Sequence, residues 1–415
     1  MSAAAEPETL VRRTTCCIVG GGPAGMMLAY ILARAGVEVI VLEKHADFLR
    51  DFRGDTVHPS TMEALWELGL LERFLKRPHD RIEQLSGQIG EDIVNLADLR
   101  HIPAHARFIA LMPQWDFLDF LSSEGRRFPE FHLMMRAEAM DLIEESGAVV
   151  GVRGQTPDGP LQVRADLVVA ADGRSSVLRA KAGLEVQDLG APMDVLWLRL
   201  PRHPGDEEMP LGRIDAGRIL VAIPRGDYFQ CGFVVAKGGY QVVRDAGLEA
   251  FRQSIATLVP AFAARVDALT DWDQIKLLTV SVDRLRQWAK PGLLCIGDAA
   301  HAMSPVGGVG INLAIQDAVA ASNALAGPLR AKTLTLADLQ RVQAWRERPT
   351  RWMQTVQLAV QHRVIGPTLT AQATPRASWQ ARLLNTFPLL RRIPARVLGL
   401  GFRLEHIHTR DVHKD

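Results

Sequence analysis

The chain of 415 residues has only four cysteines, three tyrosines and almost no charge imbalance, with 48 basic against 47 acidic side chains. Net charge near zero removes the electrostatic case for a dedicated nucleic-acid binder, which carries a marked basic excess. Cys16, Cys17, Cys231 and Cys295 lie in apolar runs without CxxC or Cys/His spacing. They read as buried thiols of a reducing compartment, not as a disulfide frame, a zinc site or a dithiol redox centre. An uninterrupted membrane span is also missing. Thr14–Ala33 carries no charge, but Gly20-Gly21-Gly22-Pro23 breaks it in the middle. Ala299–Gln316 contains His301, Pro305, Asn312 and three glycines. Neither spans a bilayer, and no export signal is evident, so a cytoplasmic enzyme without an integral membrane segment is expected.

What is present is ordinary globular material, 47% hydrophobic and 23% charged, long enough for two or three domains. TTCCIV reads as a buried parallel strand, MMLAYILARAG as a helix stopped at Gly36, and VEVIVLE as a second strand ending at Glu43. Ser60 and Glu63 have capping-box spacing, opening a helix expected through about Lys76. A second helix opens at Pro113-Gln114-Trp115. Residues 131–170 and 190–285 read mainly as strands, and from about 307 the chain turns helical.

Between the first strand and helix stands Gly20-x-Gly22-x-x-Gly25, with Glu43 eighteen positions after the last glycine. The first glycine permits the tight turn, the second lets backbone approach a pyrophosphate, and the third allows close helix–strand packing. Glu43 is placed to accept hydrogen bonds from an adenosine ribose. In the late segment, Asp298 ends a strand where a carboxylate can accept from a ligand hydroxyl. Gly307-Gly308-Val309-Gly310 can then bring backbone close to a bound group as Ile311 and Asn312 open a helix, whose N-terminus favours negative charge.

DLVVAADGRSSVLR (Asp166–Arg179) and GLLCIGDAAHAMSPVGGVGINLAIQDA (Gly292–Ala318) resemble the second and third fingerprints of the group A FAD-dependent monooxygenases, the para-hydroxybenzoate hydroxylase-like aromatic hydroxylases. With the N-terminal fingerprint, the resemblance covers about 300 residues. It implies an α/β fold: a Rossmann-like FAD-binding domain of the GR2 type, an inserted, mostly antiparallel substrate sheet, and C-terminal helices. The expected division is 1–185 and 286–330 for FAD, 186–285 for substrate and 331–415 for the helical end, some strands before 185 serving the substrate side.

The resemblance further implies FAD contacts from Gly20, Gly22, Gly25, Glu43, Lys44, Arg53, Gln114, Asp172, Arg179, Asp298, Gly310, Ile311 and Asn312. NADH or NADPH would reduce the flavin transiently, and O₂ would add to form a flavin C4a-hydroperoxide that hydroxylates an aromatic or polycyclic phenolic substrate. Pro305 matches a proline whose carbonyl lies beside the reacting ring. Acid–base candidates are His58, Arg213, Arg225 and Tyr228. Met193, Trp197 and Phe229 read as pocket walls or sheet core, and His301 as a local hydrogen-bonding residue. Alternatives are epoxidation or Baeyer–Villiger chemistry on the same fold, or a non-turnover FAD-binding redox sensor. A monomer or homodimer is expected, without a metal or a nucleic-acid partner. His406, His408 and His413 read as a solvated tail. Leu383–Phe402, apolar with arginines at 391, 392 and 396, is expected to pack on the body, not to lie on a membrane, because Pro388 and Pro394 interrupt it.

Overall fold

The computed structural model describes residues 9–49, 56–206 and 209–414. Two sheets organise them. The first is built on five parallel strands in the order 293–295, 159–170, 10–19, 39–43 and 131–135. Its central strand, Leu10–Val19, pairs on both sides, with Cys16 opposite Leu167 and Val39. Burial of both faces explains the continuous apolar runs that mark these strands in the sequence. Glu138–Glu145 and Ala148–Thr156 form an antiparallel extension on the strand 159–170. All four cysteines are free and buried. Burial alone pushes the Cys17 thiol up to about 12, so it stays protonated and inert.

Helices cover the first sheet. α1 (Pro23–Arg34) follows the glycine turn and is buried along most of its length. α2 (Pro59–Glu67) and α3 (Leu71–Phe74) occupy the region expected as one helix; the chain breaks at Gly69, where φ is +72°. The predicted capping box does not form. Pro59 takes the first helical position, so His58 is the N-cap and no side chain caps the helix. Glu63 instead receives His105 N and pairs with His105 Nδ1 at 2.8 Å. α4 (Gln114–Gly125) and the short α5 (Val177–Lys181) complete the cofactor side.

The second sheet has seven strands, in the order 276–278, 193–201, 228–236, 218–225, 212–215, 84–89 and 92–98. All neighbours are antiparallel except 212–215 and 84–89, which run parallel. The hairpin 84–98 therefore crosses from the first half of the chain to enlarge the inserted sheet. One face of this sheet is covered by α6 (Tyr240–Asp245) and α7 (Leu248–Leu258), helices inside a block that reads as strands in the sequence; Phe251, Ile255 and Leu258 bury against Phe229 and Phe262. The other face looks toward the cofactor side.

The late helices are α8 (Gly310–Ala331), α9 (Leu336–Val360), α10 (Gly366–Thr370), α11 (Trp379–Thr386) and α12 (Arg392–Leu400). A π-turn at Gln361–Ile365 joins α9 to α10. α12 buries Ala395 and Leu400 against Ala97, Leu99 and Ile102 of the first half, as expected for a segment that packs on the body. The histidine-bearing end is not a solvated tail. Glu67 receives both His406 Nδ1, at 2.5 Å, and Ile407 N, at 2.6 Å, while His413 pairs with Glu130 at 3.2 Å. No group of histidine, cysteine or acidic residues suited to a metal occurs among the described residues, and no helix among them is long and apolar enough to cross a membrane.

Candidate active site

One cavity of about 2090 Å³ runs from the N-terminal glycine turn, past the Gly307–Gly310 segment, to the inner face of the second sheet. Its volume exceeds the 300–1,000 Å³ common for a single small ligand, leaving room for a dinucleotide and a second ring system together.

The nucleotide end follows from the glycine turn. Gly20 has φ +110°, and a Cβ there would lie 2.3 Å from Ala171 O. A Cβ on Gly25 would lie 2.0 Å from Gly20 O, so this glycine serves helix–strand contact. Gly22 differs: a Cβ would meet nothing within 4 Å, because the position borders the cavity. Glu43 ends its strand, lines the cavity beside Lys44, and accepts from Gly21 N and His45 N, both at 3.0 Å. Gln114 lines it from the first residue of α4. Arg53 lies outside the described residues.

At the middle, Asp172 lines the cavity; its Oδ2 accepts from Leu178 N at 3.3 Å, while its Oδ1 is buried without a partner. Arg174 also lines the cavity. Its Nη2 lies 3.3 Å from Asp298 Oδ2, and its Nη1 is buried without a partner. Arg179 does not line the cavity. It turns inward to Asp283 at 3.4 Å, Ala299 O at 3.3 Å and the Arg174 carbonyl. Arg174, two residues past Asp172 in the same motif, therefore brings to the cavity the guanidinium that sequence reasoning placed at 179. An open glycine cradle, an orphan carboxylate oxygen and an orphan guanidinium nitrogen along one groove fit a pyrophosphate-bridged flavin dinucleotide.

At the ring end stand Pro305, Gly310 and Ile311, with the N-terminus of α8 carrying no side-chain cap. Asn312 is buried below them. Its Oδ1 accepts from His58 N at 3.0 Å and Thr61 Oγ1 at 2.8 Å, and its Nδ2 donates to Gly308 O at 3.3 Å. Its side chain thus fixes the turn and does not line the cavity.

His58 is fully buried yet lines the cavity. Nδ1 donates to Leu398 O at 2.9 Å, which leaves Nε2 as a bare acceptor without a partner, near Gly308. Burial, only partly opposed by that backbone hydrogen bond, lowers its pKa to about 4, so the ring is neutral at physiological pH. Arg213, Arg225 and Tyr228 are not brought to the cavity. Gly212 and Ile214 line it, so strand alternation turns Arg213 to the opposite face. Arg225 and Tyr228 flank a hairpin turn, and the Arg199 guanidinium sits 5.0 Å over the Tyr228 ring. Met193 and Trp197 are cavity walls, whereas Phe229 is core on the far face.

Two supporting networks were not anticipated. Gln354, Gln357 and Gln361 project from one face of α9 and its π-turn, all buried, onto the segment that carries Pro305. Gln357 receives Ser304 N at 3.2 Å and donates to Ser304 O and Val306 O, both at 2.9 Å. Gln354 donates to Ala302 O at 3.2 Å and Gln361 to Ser304 Oγ at 2.5 Å. Their 3–4 spacing, continuing that of Arg346 and Thr350 along the same face, is the signal that could have found them. Beneath Asp298, Asp317 receives Gly297 N at 3.1 Å, His301 Nε2 at 2.5 Å and Arg346 Nε at 3.0 Å, and Arg346 continues to Glu405 at 2.9 Å. Burial opposes ionisation of Asp317, but His301 and Arg346 outweigh it and hold its pKa below the ordinary value. His301 thus has the local bonding role expected of it.

Comparison with known proteins agrees with this geometry. The model of a family described as an FAD binding domain matches residues 13–344. A 6-methylpretetramide 4-monooxygenase of Streptomyces rimosus is 35% identical over 394 residues, 92% of each chain. A rifampicin monooxygenase of Streptomyces venezuelae is 31% identical over 322 residues, 72% of this chain and 61% of that protein. Among solved structures, OxyS anhydrotetracycline hydroxylase from Streptomyces rimosus superposes with a TM-score of 0.74 at 24% identity, covering 93% of this chain and 76% of that one. The chain belongs to the FAD-binding-domain family and is a group A FAD-dependent monooxygenase.

Proposed function

We propose that the protein hydroxylates a polycyclic phenolic substrate of the pretetramide type, using NADH or NADPH as reductant. The observation that supports this most strongly is the size and continuity of the cavity. Beyond the flavin positions it opens into a chamber walled by aliphatic side chains, among them Leu85, Ile109, Leu111, Val195, Ile219 and Met353. Such walls select a broad, flat, apolar molecule and exclude water from the reacting atoms. The 6-methylpretetramide 4-monooxygenase at 35% identity supports the same class.

When bound and reduced, FAD supplies the activated oxygen; the chain's own residues orient what receives it. His58 Nε2 accepts a hydrogen bond from a phenolic hydroxyl and holds that ring edge toward the Gly307–Gly310 turn. With a pKa of about 4 it is a far weaker base than a phenolate, so it orients and polarises the hydroxyl without taking the proton outright. Pro305, fixed through its neighbours by Gln357 and Gln361, places its carbonyl beside the reacting ring. Asp298, Arg174 and Asp172 hold the cofactor's polar chain.

The test is turnover of tetracyclic phenols under ¹⁸O₂ with NADH and NADPH in parallel. Substrate-stimulated reductant consumption and a product heavier by one ¹⁸O in a ring hydroxyl are expected. Oxygen inserted between ring carbons, or added across a double bond, would replace hydroxylation with Baeyer–Villiger or epoxidase chemistry. Reduction indifferent to every substrate would favour a redox sensor.

A further inference from the structure

From Arg348 to Leu404 the chain has no acidic residue and no lysine, but nine arginines. This stretch folds into the last part of α9 and then α10, α11 and α12. One side of α11 and α12 is committed: Ala381, Leu384, Pro394 and Val397 border the substrate chamber. The other side leaves Trp379 71% exposed, Phe387 54% and Leu389 68%, three large apolar side chains within eleven residues, while Ile393, 65% exposed, stands at the chamber's rim. Arg392 and Arg396 stand exposed on α12, away from the cavity lining, and have no acidic partner among the described residues. Arg391 is used internally, bonding Leu384 O at 2.8 Å and Asn385 O at 3.1 Å and so joining α12's start to α11. Asp92 is the acid at the patch border, 3.8 Å from Arg382.

We propose that this outer face of α11–α12 docks on an anionic lipid surface. Exposed aromatic and aliphatic side chains ringed by arginine are the chemistry of an interfacial helix, apolar side in the acyl boundary and guanidinium groups among anionic headgroups. A second copy of the chain fits poorly. A two-fold contact sets the same patch against itself, so arginine would face arginine. The position gives the docking a use that rests on the functional reading above. The helices that meet the lipid also wall the chamber, so a lipophilic polycycle leaves the bilayer close to its site without crossing water.

Docking is measured without turnover. Flavin-loaded protein is sedimented with vesicles of equimolar phosphatidylcholine and phosphatidylglycerol, and with phosphatidylcholine alone. Wild type should pellet with the anionic vesicles only, and high salt should release it. R392Q/R396Q should partition about 25-fold more weakly, at about fivefold per arginine near an anionic surface. F387S/L389S should also lose binding. None of the four residues lines the cavity, so both variants should keep bound flavin and their activity on dispersed substrate. Failure to pellet with anionic vesicles, or pelleting untouched by R392Q/R396Q, overturns the proposal. So does a solution dimer abolished by F387S/L389S in a protein that ignores vesicles. A wild type that binds vesicles but oxidises no phenol would sink the functional reading and leave the docking intact.

Discussion

His58 is buried and neutral in the folded chain, and this makes a quantitative claim about pH. Its pKa falls from 6.5 in an unfolded chain to about 4 in the fold. A histidine with a depressed folded pKa binds fewer protons folded than unfolded, so its contribution is favourable above pH 6.5 and is lost as pH falls toward 4. Between pH 7.5 and 4.5 the proton linkage amounts to about 2.5 kcal/mol of lost stability from this one ring. Other groups titrate in the same window, so the measurement is a difference. Urea unfolding of wild type and His58→Gln at both pH values should show wild type losing about 2.5 kcal/mol more than the variant over the interval. Glutamine can still donate to Leu398 O and present an acceptor to the cavity, so the variant should fold at pH 7.5. Equal losses in the two proteins would refute the neutral, buried assignment. The functional side is read separately. His58→Leu should raise the substrate KM and lower kcat/KM by roughly 10-fold or more, in line with one lost hydrogen bond in a dry site. His58→Gln should recover much of that loss.

The second and third glycines of the first fingerprint should separate fold from cofactor: Gly25→Ala, 2.0 Å from a backbone oxygen, should express as insoluble protein, whereas Gly22→Ala should fold yet be purified with little FAD, as read by visible absorbance. Asp298→Ala should lower flavin retention and Arg174→Gln should do so too, since the two are paired; a fully yellow Asp298→Ala preparation would remove that assignment. Gln357→Leu deletes three hydrogen bonds to buried main chain around Pro305, with an expected cost of about 2–4 kcal/mol in denaturant unfolding. In the same variant, peroxide released per reductant consumed should rise, a readout that a merely structural glutamine would leave unmoved.

The sequence shows the parts of this molecule whose chemistry is local. The parallel core is visible because strands buried on both faces must be apolar throughout, and the glycine turn because only glycine tolerates a carbonyl at 2.3 Å. Placement of the capping box at Ser60 fails because the neighbouring proline sets where the helix begins. Arg179 and Arg174 share one motif, and only folding of α5 decides that the first turns inward and the second toward the cavity. The hairpin 84–98 joins the inserted sheet through a parallel pairing with 212–215, and no short-range pattern encodes a partner so far along the chain.

The same non-locality reaches the chemistry itself. Which nitrogen of His58 is left without a partner is set by the Leu398 carbonyl on α12, 340 positions away, and the neighbours of Pro305 are held by glutamines on α9. Neither Leu398 nor Gln357 carries a residue type that announces a role, because each acts through backbone it touches in the folded state. The fingerprints therefore identify the cofactor, while the C-terminal helices supply part of the chamber wall, so on the proposed function they are where substrate preference should be set. A homologue that keeps all three glycine-bearing motifs but replaces α9 and α12 should accordingly keep FAD and change what it oxidises.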